Sequence, residues 1–409
     1  MRFSLLTTFF LLISVAGCAH TEEIQLASAN IGRYNASLDS LVATTIQDIR
    51  ASKPDAAMAS VDRLIAMRPD FKLAHLLKAD LLQAKAMPLA SFGAAPKSRD
   101  RAALNDLKDE ARVRLLRYLD QPDPDRLPKQ ILQLAPNQKY ALLADASRAR
   151  LYVFENVGGE PRLIRDFYVT VGRNGVNKRA EGDKKTPSGV YSINAELPRK
   201  QLTAFYGAGA FPLDYPNEWD ALQGNGGHGI WLHGVPPDTY SRPPKASEGC
   251  LVVANPDYHE ISRYIRPQDT PIVIADRTEW LDRQDWLATR DRLIETLEGW
   301  KTDWQRLDAD RYLSRYSSTY LERAGAAWVA SKRRNISQKS WIRVSLSDLS
   351  LFLYPGDDLA VVNFTQTYDS DKHHDVTRKR FYLKRDDEQW RIVLEKGLQG
   401  TPASLASND

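Results

Sequence analysis

The hydrophobic repeat changes twice along this chain, which limits the folds open to it more than any single motif does. Through residues 19–120 apolar side chains recur at helical spacing. Val61, Leu64 and Ile65 form one run; Leu73, Leu76, Leu77 and Leu81 form the next, with Asp80 the polar exception. Pro69 ends the first run, and Asp70 is placed to cap the second. A third helix is predicted over 102–119, before the Pro-rich segment QPDPDRLP. From Lys139 the period drops to two. YALLADASRARLYVFEN and RLIRDFYVTVG alternate apolar and polar residues around Gly-Gly, the mark of a hairpin. Short strands with Gly/Pro turns continue to Asp276 and argue a compact sandwich or barrel. Residues 280–308 return to helical spacing, and further helices and four strands follow, an α+β pattern.

The predicted organisation is a signal segment over 1–17, a helical region over 18–128, a mainly-β domain over 129–276, a linker helix over 277–299 and an α+β domain over 300–398. A chain of 409 residues is too long for one ordinary core and suits about three domains. The helix pair over 55–82 is weakly similar to a tetratricopeptide unit. One unit is not an array, and a plain helical hairpin accounts for it as well. Such a region could form a homodimer, hold a protein partner or space the rest from a membrane.

Cysteine is scarce, and its two positions are informative. Cys18 follows Arg2, an apolar run over 3–15 and Ala16-Gly17, which is an export signal too short to span a membrane. Val15-Ala16-Gly17-Cys18 resembles a bacterial lipobox, which implies cleavage before Cys18 and a lipid on its thiol. Ala19 after it implies the outer membrane, so the expected place is the periplasm, lipid-anchored. Cys250 is then the one thiol left, in an oxidising compartment, with no second thiol inside the chain for a disulfide.

Cys250 lies in Ser247-Glu248-Gly249-Cys250, a glycine-containing turn before a β-run, and His233 precedes it in a β-type run followed by Gly234. Covalent acyl transfer needs that set: a thiolate to attack, an imidazole to take and return the proton, and exposed N–H groups for the oxyanion. A buried cysteine and a satisfied core histidine are the plain alternative for any such pair. The net charge of +4 suits an anionic wall or lipid surface. No basic stripe interleaved with aromatics supports nucleic acid.

In order and spacing, E-G-D-K-K-T-P-S-G-V-Y, F-Y-G-A-G-A-F-P-L-D-Y-P-N-E-W-D, G-I-W-L-H-G and S-E-G-C resemble the L,D-transpeptidase (YkuD-type) catalytic domain. The C-terminal block from WKTDWQRLDADRYL onward looks like a nuclear-transport-factor-2-like (NTF2-like) cone. Together, behind a helical region, they are similar to cell-shape-determining L,D-carboxypeptidases. The resemblance implies a peptidoglycan tetrapeptide stem as donor, with no cofactor and no metal. It makes Cys250 the nucleophile and His233 the base, with a backbone carbonyl at Gly234 holding the other imidazole nitrogen. The N–H groups of Gly249 and Cys250 would form the oxyanion hole, and Ser247 would shape the turn.

Two residues depart from that pattern. Glu248 stands where the family has His, and Val252 where Arg or Asn is frequent. Both put the acceptor in doubt, so hydrolysis stays open beside transpeptidation, as does a non-catalytic scaffold. Tyr206, Trp219 and His228 are further candidates for the donor cleft or its rim, although aromatics in such runs are as often core. Asp369, Asp371, His373, His374 and Asp375 could suggest a metal but fit a polar turn better. No motif names a ligand for the C-terminal domain.

Overall fold

The computed structural model describes residues 38–87, 92–93, 100–356, 358–386 and 389–398. Cys18 and the signal segment lie outside them. The chain forms two compact units. One holds Met1–Gln121 with Asp238–Pro244; the other holds Pro122–Pro237 with Lys245–Asp409.

The helical unit contains α1 (Leu38–Arg50), α2 (Pro54–Met67), α3 (Lys72–Ala84) and α4 (Arg101–Leu119). Their apolar stripes close on one another through Val42, Ala57, Val61, Leu64, Leu73, Leu77 and Ala111, all buried. Pro54 sits in the first turn of α2, where its missing N–H costs nothing. Asp100 caps α4 by accepting the Ala103 N–H at 3.0 Å. The expected cap of α3 by Asp70 is not formed: Phe71 takes the N-cap position without a side-chain bond. Its ring is buried, so apolar burial fixes that helix start instead. Asp80, the polar exception in the α3 stripe, accepts the Gly93 N–H at 2.6 Å.

In the second unit, a five-stranded sheet runs in the order Glu160–Tyr168, Arg150–Val157, Tyr140–Asp145, Pro271–Ala275, Gly189–Ser192. Tyr140–Asp145 and Pro271–Ala275 pair in parallel, which only a long intervening excursion allows. That excursion carries a four-stranded sheet, in the order Leu251–Val252, Trp231–His233, Gly209–Pro212, Leu197–Pro198. The period of two sorts the first sheet's side chains between two cores. Leu142, Ala144, Leu151, Val153, Ile272 and Ile274 face the small sheet. Ala141, Leu143, Tyr152, Phe154 and Val273 face the C-terminal sheet.

The C-terminal sheet is an antiparallel meander of Ile342–Leu353, Leu359–Ser370, His374–Asp386 and Gln389–Gly397. Ile131–Gln133 joins its edge, pairing with Ile342–Leu353. Helices at Arg283–Gln305, Ala309–Ser314, Ser318–Ala324 and Ala326–Ser337 bury Trp286, Trp300, Tyr312 and Ile336 against Phe364 and Phe381. The helical run expected over 280–308 starts later, because Trp280–Leu281 pairs with Leu127–Pro128 and Asp282 caps the helix that follows. No helix among the described residues is long and apolar enough to cross a membrane.

Candidate active site

The small sheet brings the candidate base and nucleophile onto neighbouring strands. Trp231–His233 and Leu251–Val252 run parallel, with Leu232 opposite Leu251 and His233 opposite Val252. Cys250 therefore stands at the entrance of the strand beside the histidine's own. His233 is buried, 1% exposed, whereas Cys250 is half-buried and reachable. The ring nitrogen Nδ1 of His233 lies 2.6 Å from Gly234 O. A carbonyl only accepts, so Nδ1 carries the proton and Nε2 is left as the basic nitrogen.

Gly234 is needed for more than that carbonyl. A Cβ there would fall 2.3 Å from Asn255 Oδ1 and 2.9 Å from Ala208 N. Asn255 uses the same oxygen to accept the N–H of Ala208 at 2.9 Å and of Val235 at 3.2 Å, while its Nδ2 donates to Val235 O at 2.8 Å. It thus locks the backbone on the far side of the base.

The cysteine turn is closed by Ser247. Its hydroxyl donates to Cys250 O at 2.6 Å and accepts the Gly249 N–H at 3.1 Å. The Gly249 N–H, expected at an oxyanion hole, is therefore turned into the loop in this conformation, drawn by the serine oxygen. Gly249 has φ +134°, and a Cβ would meet Lys185 O at 2.9 Å, so both conformation and space demand glycine. Thr186, fully buried, braces the turn from below, accepting the Gly172 N–H at 2.8 Å and donating to Gly249 O at 2.9 Å. The Cys250 Sγ reaches Gly229 O at 3.4 Å.

Tyr206 adjoins both partners. Its ring is edge-on to His233 at 5.1 Å, and Phe205 lies 5.8 Å from the same imidazole. Burial, and then the nearby charge of a Cys250 thiolate, push the Tyr206 phenol above its ordinary range. At the rim Glu248 is exposed and pairs with Lys184 at 3.3 Å. Lys184 is carried by a turn organised by Asp183, which accepts Lys178 Nζ at 2.8 Å and the N–H groups of Arg179, Ala180 and Lys185. Burial opposes that charge, yet these donors hold the Asp183 carboxyl well below the usual range.

The other candidates are placed apart. His228 is highly exposed, 4.0 Å from Glu181. Trp219 stacks on Tyr382 at 5.9 Å, against the core shared with the C-terminal sheet, a packing position that corrects its reading as a cleft residue. The acidic and histidine cluster is divided between strand-end contacts: His374 with Asp369, and Asp371 with Ser340. Among the described residues no group of His, Cys, Asp and Glu is arranged to hold a metal. Sequence reading missed Thr186, Asn255 and Phe205. The first two are in plain view, as the Thr of T-P-S-G and the Asn after the cysteine strand, but their roles are backbone bonds that spacing alone does not reveal.

Residues 139–274 match the L,D-transpeptidase catalytic domain, YkuD, and residues 292–396 match the Cds6 C-terminal NTF2-like domain. The chain therefore carries an L,D-transpeptidase catalytic domain joined to an NTF2-like domain, behind a helical region. Among solved structures it is similar to Bd1075 of Bdellovibrio bacteriovorus, with TM-score 0.61 and 28% identity over 68% of this chain and 100% of that one. The helical cell shape determining protein Pgp2 from Campylobacter jejuni gives TM-score 0.54 and 22% identity, over 67% and 96% of the two chains. A point mutant of Pgp2 gives 0.55 and 21%, over 70% and 97%. At that identity the likeness to Pgp2 speaks for the fold. No curated protein matches the chain significantly.

Proposed function

We infer that the chain is a cysteine acyltransferase of peptidoglycan, acting on tetrapeptide stems and releasing D-alanine. The observation that carries this reading is the short bond from His233 Nδ1 to Gly234 O, on a strand paired with the one that Cys250 opens. It fixes the tautomer in which Nε2 is unprotonated and so able to take the thiol proton, as the carboxylate does in a Ser/His/Asp triad. The Cys250 thiolate then adds to the carbonyl carbon at the L-centre of the third stem residue. Collapse of the tetrahedral adduct breaks the bond to D-alanine, whose nitrogen receives the proton from His233, and leaves a thioester on Sγ. An amine of a second stem, or water, attacks the thioester and restores the thiol; the first is transpeptidation and the second L,D-carboxypeptidation.

The exposed Glu248–Lys184 pair offers both charges at the rim, suited to the ammonium and carboxylate of a diamino-acid stem. In this reading Cys18 carries a lipid that holds the enzyme at a periplasmic membrane face. Mass spectrometry of the products from disaccharide-tetrapeptide, beside Cys250→Ala, tests it. Tripeptide with free D-alanine means water resolves the thioester, and tetra–tri dimers mean an amine does. Products indistinguishable from the control would leave a peptidoglycan-binding scaffold.

A further inference from the structure

The NTF2-like domain carries a charged cleft that its core does not account for. The cleft is open, about 560 Å³, and is lined by the Arg283–Gln305 helix, the Ala309–Ser314 helix with Arg315, and the start of the Gln389–Gly397 strand. Four arginines face it, Arg292, Arg311, Arg315 and Arg391, against two carboxylates, Glu295 and Asp303. Asp303 is 3% exposed and already engaged, because Arg315 Nε donates to its Oδ2 at 2.7 Å.

Gly299 shows how Arg315 is seated. It stands inside the Arg283–Gln305 helix, where only proline is less favourable than glycine. A Cβ there would fall 2.8 Å from Arg315 Cζ and 2.8 Å from each of its Nη atoms. The guanidinium therefore lies broadside over the helix, in the space that the missing side chain leaves. Its Nε is fixed by Asp303, and among the described residues neither Nη has a protein acceptor. Arg391 is held as well, donating from Nη1 to Ser314 O at 2.7 Å and from Nη2 to Gln389 Oε1 at 3.3 Å. Arg311 is exposed, with Asp308 of its own helix turn at 3.6 Å. A structural ion pair needs neither the glycine nor an uncommitted fork of donors. A site for an oxyanion needs both.

We propose that this cleft binds a phosphate group, with the two Nη of Arg315 as its bidentate donor and Arg292, Arg311 and Arg391 supplying the surrounding charge. A guanidinium presents two parallel N–H groups that match two phosphate oxygens. Four guanidiniums against two carboxylates suit the near-double charge of a phosphate monoester better than the single charge of a carboxylate. A soluble phosphate ester and a phosphomonoester lipid headgroup offer the same chemistry. The site is independent of the acyl-transfer reading.

The full chain is titrated with inorganic phosphate and followed by phosphorus nuclear magnetic resonance. Wild type binds saturably, and Arg315→Met weakens binding at least about ten-fold, through the loss of two charge-assisted bonds. Arg315→Lys keeps the charge without the fork and recovers only part of the affinity. Gly299→Ala is the sharper variant. Alanine favours the helix, and only the far end of one flexible side chain must move, so the protein stays folded while phosphate affinity drops. Flotation with phosphatidylcholine vesicles, with and without phosphatidic acid, separates the sources. Flotation that needs both phosphatidic acid and Arg315 makes the ligand a lipid headgroup; phosphate binding without it makes the ligand a soluble ester. Wild-type affinity in both Arg315→Met and Gly299→Ala, acetate bound as tightly as phosphate, or neither binding nor Arg315-dependent flotation overturns the proposal.

Discussion

Replacing Thr186 by valine asks whether the Cys250 turn depends on a hydroxyl that takes no part in the proposed chemistry. That hydroxyl is fully buried and joins the Gly172 N–H to Gly249 O through bonds of 2.8 and 2.9 Å. Valine keeps the shape and removes both bonds. Each buried backbone group left unsatisfied costs about 1–3 kcal/mol, so the pair costs about 2–6 kcal/mol if the turn stays where it is. If the turn moves to recover them, Gly249 and Cys250 move with it. A shift of ~1 Å at a reacting atom costs on the order of a hundred-fold in rate. There is little room on one side, since Lys185 O already lies 2.9 Å from where a Gly249 Cβ would be. The assay is the rate of Cys250 acylation by a carbapenem, read by mass spectrometry beside a urea unfolding curve. Thr186→Val should lower the unfolding midpoint and slow acylation at least about ten-fold. Thr186→Ser keeps both bonds and loses one methyl, about 1 kcal/mol, with near wild-type acylation. Wild-type acylation in Thr186→Val, or a serine variant as slow as the valine, would refute the argument.

Arg380 of the C-terminal sheet pairs with Glu218 at 2.9 Å and Asp214 at 3.8 Å in the catalytic domain. Arg380→Met leaves two mostly buried carboxylates without their cation and should cost about 3 kcal/mol in urea unfolding; a loss under about 1 kcal/mol would mean that solvent already screens the cluster. Burial pushes Asp214 up to about 6, although Arg380 pulls it down, so the folded chain holds that proton more tightly than the unfolded one. Its contribution to stability is therefore full below its ordinary value of 3.8 and is lost as pH rises through about 6. Asp214→Asn should flatten this part of the stability profile by up to about 3 kcal/mol, less for the carboxylate's partial exposure, and an unchanged slope between pH 4 and 6 would contradict it. Gly234→Ala places a methyl 2.3 Å from Asn255 Oδ1, forcing the His233 strand or Asn255 to move. Acylation of Cys250 should slow at least about ten-fold while the far-ultraviolet circular dichroism stays native, and a fully active alanine variant would show that the carbonyl's place is not critical.

Most of the architecture was legible because hydrophobic period is a local signal. The helix pair around Pro69 and the change to strands after Lys139 follow directly from it. Ends set by competition were not legible. Asp70 was the better cap on paper, but burying Phe71 outweighed one hydrogen bond. Trp280 fitted the helical run after it, but became a strand residue because Pro128 lies opposite it across the chain. In the site, the His233 and Cys250 pair stood out by residue type and spacing, while Gly234 and Ser247 were named only through the resemblance to the L,D-transpeptidase domain. Thr186 and Asn255 could not, because their work is to hold backbone groups that come together only in the fold. Trp219 shows the converse limit: an aromatic side chain in a motif-rich segment suits a cleft or a core equally, and only the fold stacks it on Tyr382.

The meeting of the catalytic sheet with the NTF2-like domain bears on what the second domain is for. Ile131–Gln133 is a strand of the C-terminal sheet, and the chain passes from it almost at once into Tyr140–Asp145, the middle strand of the catalytic sheet. Tyr152, Phe154, Val190 and Val273 of the catalytic sheet share one core with Phe352, Tyr354, Val361 and Tyr382. A sheet whose side chains are apolar on both faces must be covered on both. Here the active-site sheet covers one face and the NTF2-like sheet covers the other. The Arg380, Tyr382 and Tyr354 side chains then reach past that core to Glu218 and Asn217, in the segment that follows the strand paired with His233's own. The C-terminal domain is thus part of the catalytic domain's fold before it is anything else.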